Sequence, residues 1–383
     1  MTAVGDSGYE ALTQFGLTLF SSLAGERSGQ TTLVSPAAIG AQLCALQTAA
    51  CGDTKTEFLG APLREGLALH LHAVTVKLFM QLEKPNPYVS MSLVQRMFVD
   101  KAAHLNESWT KLVESKYRCG VEQVSFRADP EAVAALANSW VLKATQGRVD
   151  CVIPPGTIDS SAKIVMVSAF YFKGYFDHPF KAIGKKTFLA KISAPSEVDM
   201  IGATGEFLYA ELNAPAAAKV IELPYRNKDI TLLLFLPDSH LSLQEYRTAL
   251  TPQMLTDIIG KLERKQVYVE LPVMTLTQEV ILNRSLVKTG VKHAFMDGAD
   301  FTVAAPSGGL RLTDVLHRAT FVLAESPDAT ATQPLSPAPL EFLLCRPFLF
   351  VLQRARDRYI LLLGAVKSIP VAATSNQAAT TSQ

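Results

Sequence analysis

Few side chains in this chain of 383 residues have the type and spacing to do chemistry together. No Gly-x-Ser-x-Gly pentapeptide is present to set a nucleophile on a strand-to-helix turn. Gly184-Lys-Lys-Thr187 has the end of a phosphate-binding loop, but Pro179 stands five residues before Gly184 where glycine is required, so no phosphate cradle forms. No Gly-x-Gly-x-x-Gly follows a strand pattern, and no His-Glu-x-x-His lies on a helix pattern. His70 and His72 are two residues apart and face different sides of a helix, so they do not pair on one metal. The five cysteines, Cys44, Cys51, Cys119, Cys151 and Cys345, form neither a Cys-x-x-Cys pair nor a Cys/His cluster at zinc spacing. Cys44 and Cys51 lie in a hydrophobic helical stretch and are expected as core thiols rather than a bridge. The pattern predicts no enzyme, no cofactor and no metal.

The elements around these residues are better defined. Hydrophobic residues make up 48% of the chain, enough for a large core. The formal charge of +1 gives no pull toward nucleic acid or an anionic membrane, and the cluster Lys261, Arg264, Lys265 reads as a solvated helix end or strand edge. No run of about twenty apolar residues is present to span a bilayer. The acidic start argues for a leaderless chain, cytoplasmic or exported without a leader, with an extracellular site left open. In that setting the acceptor triplets at Asn106 and Asn283 carry little weight.

Apolar spacing predicts helices over Tyr9–Leu23, over Ala37–Thr48 with Ser35 as cap, over Leu67–Leu82, around Trp109 and Leu112, and over Pro130–Lys143. Strands are expected at Met91–Phe98 and Val121–Phe126. Ile164–Phe172 is apolar on both faces, the pattern of a strand in the middle of a sheet. Strand patterns then cluster at Val220–Leu223, Ile230–Leu236, Val267–Leu271, Ala319–Leu323, Phe348–Leu352 and Tyr359–Val366, which predicts an α+β fold. Two stretches lack such patterns: the loop from Glu325 to Leu340 and the polar tail 371–383, the latter expected to be disordered.

Asn138-Ser-Trp-Val-Leu-Lys-Ala-Thr145-Gln-Gly147-Arg-Val149, Ile164–Gly174, Val220-Ile-Glu-Leu-Pro-Tyr225, Ala299-Asp-Phe301, His317-Arg-Ala319, Arg346-Pro-Phe-Leu-Phe350, Gly364-Ala-Val366 and Pro370 occur in one order. Together they resemble the serpin family of serine protease inhibitors. Asn138 and Thr145 are expected to bond backbone where their helix ends. The resemblance implies a serpin fold: one domain over residues 1–370, three β-sheets, about nine helices and an exposed reactive-centre loop at about 325–345. It implies a monomer whose partner is a serine or cysteine protease. In inhibitory relatives the protease cuts this loop, and the part before the cut enters the main sheet as a central strand.

The loop departs from the inhibitory pattern. Pro327 stands where glycine is expected, and Asp328 where a small residue would turn inward; burying its unpaired carboxylate costs several kcal/mol. Ala329, Thr330, Ala331 and Thr332 stay small, but Pro334, Pro337 and Pro339 lack the N–H a central strand donates. The loop is also several residues short before Arg346. In the cluster resembling the sheet-opening shutter, Ser35 and His317 keep their types, whereas Ala38 and Ser168 replace a serine and an asparagine. His317 reads as a hydrogen-bonded core residue. Tyr175 replaces a tryptophan where the loop would first enter the sheet. The preferred expectation is a binding or substrate-like serpin with inhibition lost or weakened. The alternative is an active suicide-substrate inhibitor cut within 335–342, with Leu340-Glu341 as candidate bond, and a carrier with an inter-helix pocket is the third class.

Overall fold

The computed structural model describes residues 3–27, 29–60, 73, 76, 86–190, 194–213, 217–238, 243–326 and 338–370. The helix expected over Leu67–Leu82, the loop residues 327–337 and the tail 371–383 lie outside the described residues, apart from positions 73 and 76.

The helices are α1 (Ala3–Glu26), α2 (Pro36–Gln47), α3 (Gly52–Gly60), α4 (Glu107–Tyr117), α5 (Pro130–Ala144), α6 (Leu243–Ala249), α7 (Pro252–Gly260) and α8 (Asn283–Lys288). Three begin with one device, a capping oxygen followed by proline. Ser35 Oγ accepts from the Ala38 N–H, Asp129 from Ala132 and Thr251 from Met254, while Pro36, Pro130 and Pro252 take the first turn. Every residue of α2 is buried.

The strands are β1 (Thr32–Val34), β2 (Val89–Asp100), β3 (Cys119–Val124), β4 (Ile164–Gly174), β5 (Lys181–Phe188), β6 (Ser196–Leu212), β7 (Ala218–Pro224), β8 (Ile230–Pro237), β9 (Glu263–Pro272), β10 (Met274–Ile281), β11 (Leu312–Leu323), β12 (Leu340–Leu343), β13 (Phe348–Arg354) and β14 (Ile360–Val366). One sheet has five strands in the order β10-β11-β4-β2-β3, with the doubly apolar β4 at its centre as its sequence predicts. The other runs β1-β14-β13-β8-β7-β6-β9-β12, with β5 also against β6.

The expected third sheet is thus joined to the second among the described residues. Long β6 makes the join: Ser196–Gly202 pairs β5 and Leu208–Leu212 pairs β7, while Met200–Tyr209 pairs β9 on the other side. The described residues hold eight α-helices with defined ends and a 3-10 turn at His293–Phe295, and positions 73 and 76 are helical as well, against an expectation of about nine helices.

The five-stranded sheet is covered on both faces. Val165, Val167, Ala169 and Leu316 face the apolar side of α5, through Val133, Ala137 and Val141. Ile164, Met166, Phe170, Phe172 and Phe321 face the main core, which includes α1, α2 and the strands of the larger sheet. Period-two alternation along β4 and β11 therefore sorts each residue to one core or the other.

Asn138 departs from expectation. Its Oδ1 accepts the N–H groups of Val152 and Ile153 at 2.8 and 2.9 Å, and its Nδ2 donates to the Ile153 carbonyl, so it clamps a following loop rather than its helix end. Thr145 behaves as expected, with Oγ1 donating to the Val141 carbonyl at 2.8 Å and accepting the Val149 N–H at 3.0 Å. The five cysteines are free; Cys44 is buried, whereas Cys51 is only half-buried before α3 and not a core thiol.

Candidate functional site

The centre of the five-stranded sheet is the junction of β4 and β11. These strands run parallel in continuous register from Asp314 opposite Val165 to Val322 opposite Lys173. A chain turning back after β11 and entering this seam would be antiparallel to both neighbours.

Polar groups hold the seam in its middle. His317, opposite Ser168, is completely buried. Its Nε2 accepts the Ser35 N–H at 3.2 Å, which leaves the ring proton on Nδ1, 3.0 Å from Ser168 Oγ. Burial lowers its pKa to about 3, so the imidazole is neutral near neutral pH. Ser35 Oγ donates to the Leu361 carbonyl of β14 at 2.6 Å and accepts the Ala38 N–H at 3.2 Å. Ser35, Ser168 and His317 thus come together, tying α2, β4, β11 and β14. Ala38 contributes its backbone.

Two residues complete this layer that sequence reasoning missed. Gln42 Nε2 donates to the Val167 carbonyl at 2.8 Å, and Gln278 Oε1 accepts the Leu33 N–H. Gln42 had a readable signal, an amide in the middle of an otherwise apolar helix, since a buried amide needs partners.

Aromatic rings close the seam where β4 and β11 end. Phe172 stacks on Phe321 at 6.1 Å and meets Tyr225 edge-on at 4.9 Å; Phe321 stacks on Phe350 at 4.6 Å. Tyr225 continues to Phe176 at 4.7 Å, and Phe176 to Phe180 at 5.1 Å. Gly174 leaves room for the Tyr225 ring, which would lie 2.6 Å from an added Cβ. Tyr175 sits beside this stack, with its N–H on the Tyr88 carbonyl and the Lys173 ammonium 5.8 Å from its ring.

Beyond β11 the chain leaves along β5. Glu325 Oε1 accepts the Ala182 N–H at 3.2 Å, and the Ser326 N–H points to the Phe180 carbonyl at 3.4 Å. Pro327, Asp328, Ala329, Thr330, Ala331 and Thr332 lie outside the described residues. Leu340 and Glu341 are the first two residues of β12, opposite Val267 and Tyr268 of β9; Lys219 Nζ donates to the Glu341 carbonyl at 3.0 Å, and Phe342 is buried. The candidate bond therefore lies in a ladder rather than in a free loop.

No group of three or more His, Cys, Asp or Glu that could hold a metal occurs among the described residues. No described helix is long and apolar enough to cross a membrane. The apolar space between α1, α6 and β13, lined by Leu17, Phe20, Phe235 and Leu250, measures about 10 Å³, roughly the room for one water.

A family model described as "Serpin (serine protease inhibitor)" matches residues 10–369. Iris of Ixodes ricinus is 25% identical over 372 residues, which cover 94% of this chain and 98% of that protein. Antithrombin-III of Mus musculus is 26% identical over 376 residues, covering 93% of this chain and 80% of its own. The structure of human thyroxine-binding globulin with thyroxine has a TM-score of 0.86 at 21% identity, covering 96% of this chain and 100% of the other, a likeness of fold.

Proposed function

The chain belongs to the serpin family, and from that premise we propose that it binds proteases in a substrate-like way, with inhibition by loop insertion lost or weakened. The observation that carries this reading is the mismatch between seam and loop. The seam is a continuously paired junction of two buried strands, and the loop that would supply the entering strand bears Asp328 and the prolines at 327, 334, 337 and 339. Each proline removes a ladder N–H, and Asp328 would bring a carboxylate into the core.

Length adds a further condition. Thirteen residues, 327–339, separate Ser326 from β12. Filling the seam takes about ten residues at roughly 3.3 Å each, so the rest cannot return to β12 unless the loop is cut. Insertion on this reading requires cleavage, and the paired β12 favours a cut before Leu340. The chain itself catalyses nothing.

The second reading, an active inhibitor, draws on the small residues Ala329–Thr332 and on the parallel seam, where an inserted strand would make two antiparallel ladders in place of a parallel one. Incubation with elastase-, chymotrypsin- and subtilisin-like proteases separates the two. Substrate-like behaviour gives loop cleavage without an SDS-resistant complex and little change in melting temperature after the cut. A stable complex band would establish the second reading instead. Among the described residues the space between α1 and α6 is only about 10 Å³, which disfavours the carrier reading, and thermal shifts with lipophilic ligands would restore it.

A further inference from the structure

We propose that the outer edge of β10 is a docking site for a short extended peptide bearing a carboxylate, which pairs with the main chain of Thr277 and with the Arg27 guanidinium.

β10 ends the five-stranded sheet, and among the described residues no strand pairs with its outer side. Arg27 Nη1 donates to the Glu279 carbonyl at 3.1 Å, so that carbonyl points away from β11. In an antiparallel strand the N–H and C=O of one residue point the same way, and residues two apart agree. The N–H and C=O of Thr277 therefore also face outward. Thr277 borders a groove of about 490 Å³ that is also lined by Thr31, Leu33, Leu276 and Ser368. This volume lies within the range of small-ligand sites and suits three or four extended residues.

An open strand edge is a template for adding another strand, and proteins commonly block it with proline, a bulge or an inward charge. Met274–Ile281 contains no proline and pairs with β11 without a register shift.

Charge selects the occupant. Two cations line the groove. Arg318 is held by Asp150 at 2.8 Å and by Glu279 at 3.4 Å, whereas Arg27 contacts a backbone carbonyl and has no carboxylate partner among the described residues. Glu279 is occupied with Arg318 and repels a second carboxylate at its own position. The incoming carboxylate is thus directed to Arg27, where it makes a charge-assisted pair.

Calorimetric titration with acetyl-Val-Glu-Val-amide, acetyl-Val-Gln-Val-amide and acetate tests this. The Glu peptide is expected to bind about tenfold more tightly than the Gln peptide. Arg27→Gln should weaken the Glu peptide to the level of the Gln peptide. Thr277→Pro removes an outward N–H, which an edge strand tolerates, and should weaken both peptides without lowering the melting temperature. Equal binding of the two peptides, or Glu-peptide binding unchanged by Arg27→Gln, would overturn the charge pairing. Acetate binding as tight as the peptide would overturn the strand pairing, and no binding at millimolar peptide would overturn both. Arg27→Gln keeps the test valid should Thr277→Pro fail to fold.

Discussion

The two sheets close their middles by different chemistry. In the larger sheet, β8, β13 and β14 are antiparallel neighbours with every residue buried, and aliphatic and aromatic side chains supply almost all of the contact. In the five-stranded sheet, β4 and β11 are parallel, and a histidine and two serines bridge the middle. An apolar closure gains from every added contact and has no preferred place to open. A polar closure concentrates its cost at a few groups, each of which must find a partner in any other arrangement. The contrast places a small group of polar contacts, rather than apolar contacts alone, between β4 and β11.

The strongest way to break this comparison is acid. His317 has a folded-state pKa of about 3, below its unfolded value of 6.5, because burial opposes its charged form. Between those values the unfolded chain binds the proton that the folded chain refuses, so stability is present above pH 6.5 and falls as pH drops toward 3. The loss is about 1.4 kcal/mol per pH unit from this group. Urea unfolding from pH 7 to pH 4 is expected to show a steeper loss in the native chain than in His317→Gln, where carboxylate effects remain. Parallel slopes would mean that His317 gains a proton without opening the seam.

Next in size is a test of the apolar closure. A side chain at Gly364 of β14 would overlap the Phe350 ring of β13. Gly364→Ala is expected to lower stability by about 3 kcal/mol, the upper part of the usual range for overpacking, measured from denaturant midpoints. Its effect should not depend on pH between 7 and 4, unlike that of the His317 change.

Much of this division could be read from the sequence, and the unread parts have physical reasons. Ile164–Phe172 announced a central strand because both faces are apolar, and Ser35-Pro36 announced a helix start. β5 carried no pattern: Lys181–Phe188 is an outlying strand with most residues exposed, and its conformation is imposed by β6. β6 was hidden because it changes partners along its length, so no single alternation describes it. Gly205 within it is kept small by the His178 ring, which would lie 2.8 Å from an added Cβ, a tertiary fact with no local signal. At the site, Ser35, Ser168 and His317 were legible through family resemblance. Asn138 was misplaced because its partners lie fourteen and fifteen residues away rather than at its own helix end.

Ser168→Ala should have a smaller effect than either change above. It removes the acceptor of the His317 Nδ1 proton while leaving the Ser35 bond to Nε2. The expected loss is about 1 to 2 kcal/mol, since a buried N–H is left without a partner. Native-state hydrogen exchange is the sharper readout. Amides of β4 and β11 should exchange faster in the variant while those of β8 and β13 keep their rates. Equal acceleration in both sheets would show that the two closures open together.

The smallest effect is expected at the exit from β11. Glu325 is exposed, and its carboxylate accepts one backbone N–H from Ala182 at 3.2 Å. Glu325→Gln keeps an acceptor oxygen but lowers its charge, and stability should change by less than about 0.5 kcal/mol. The variant is informative through its position. If the Glu325 contact holds the chain along β5, weakening it should raise the rate of loop cleavage by a subtilisin-like protease while leaving the denaturant midpoint in place. Unchanged cleavage would assign the path of the chain here to the Ser326 N–H and the Phe180 carbonyl, which lie at 3.4 Å and are untouched by the substitution.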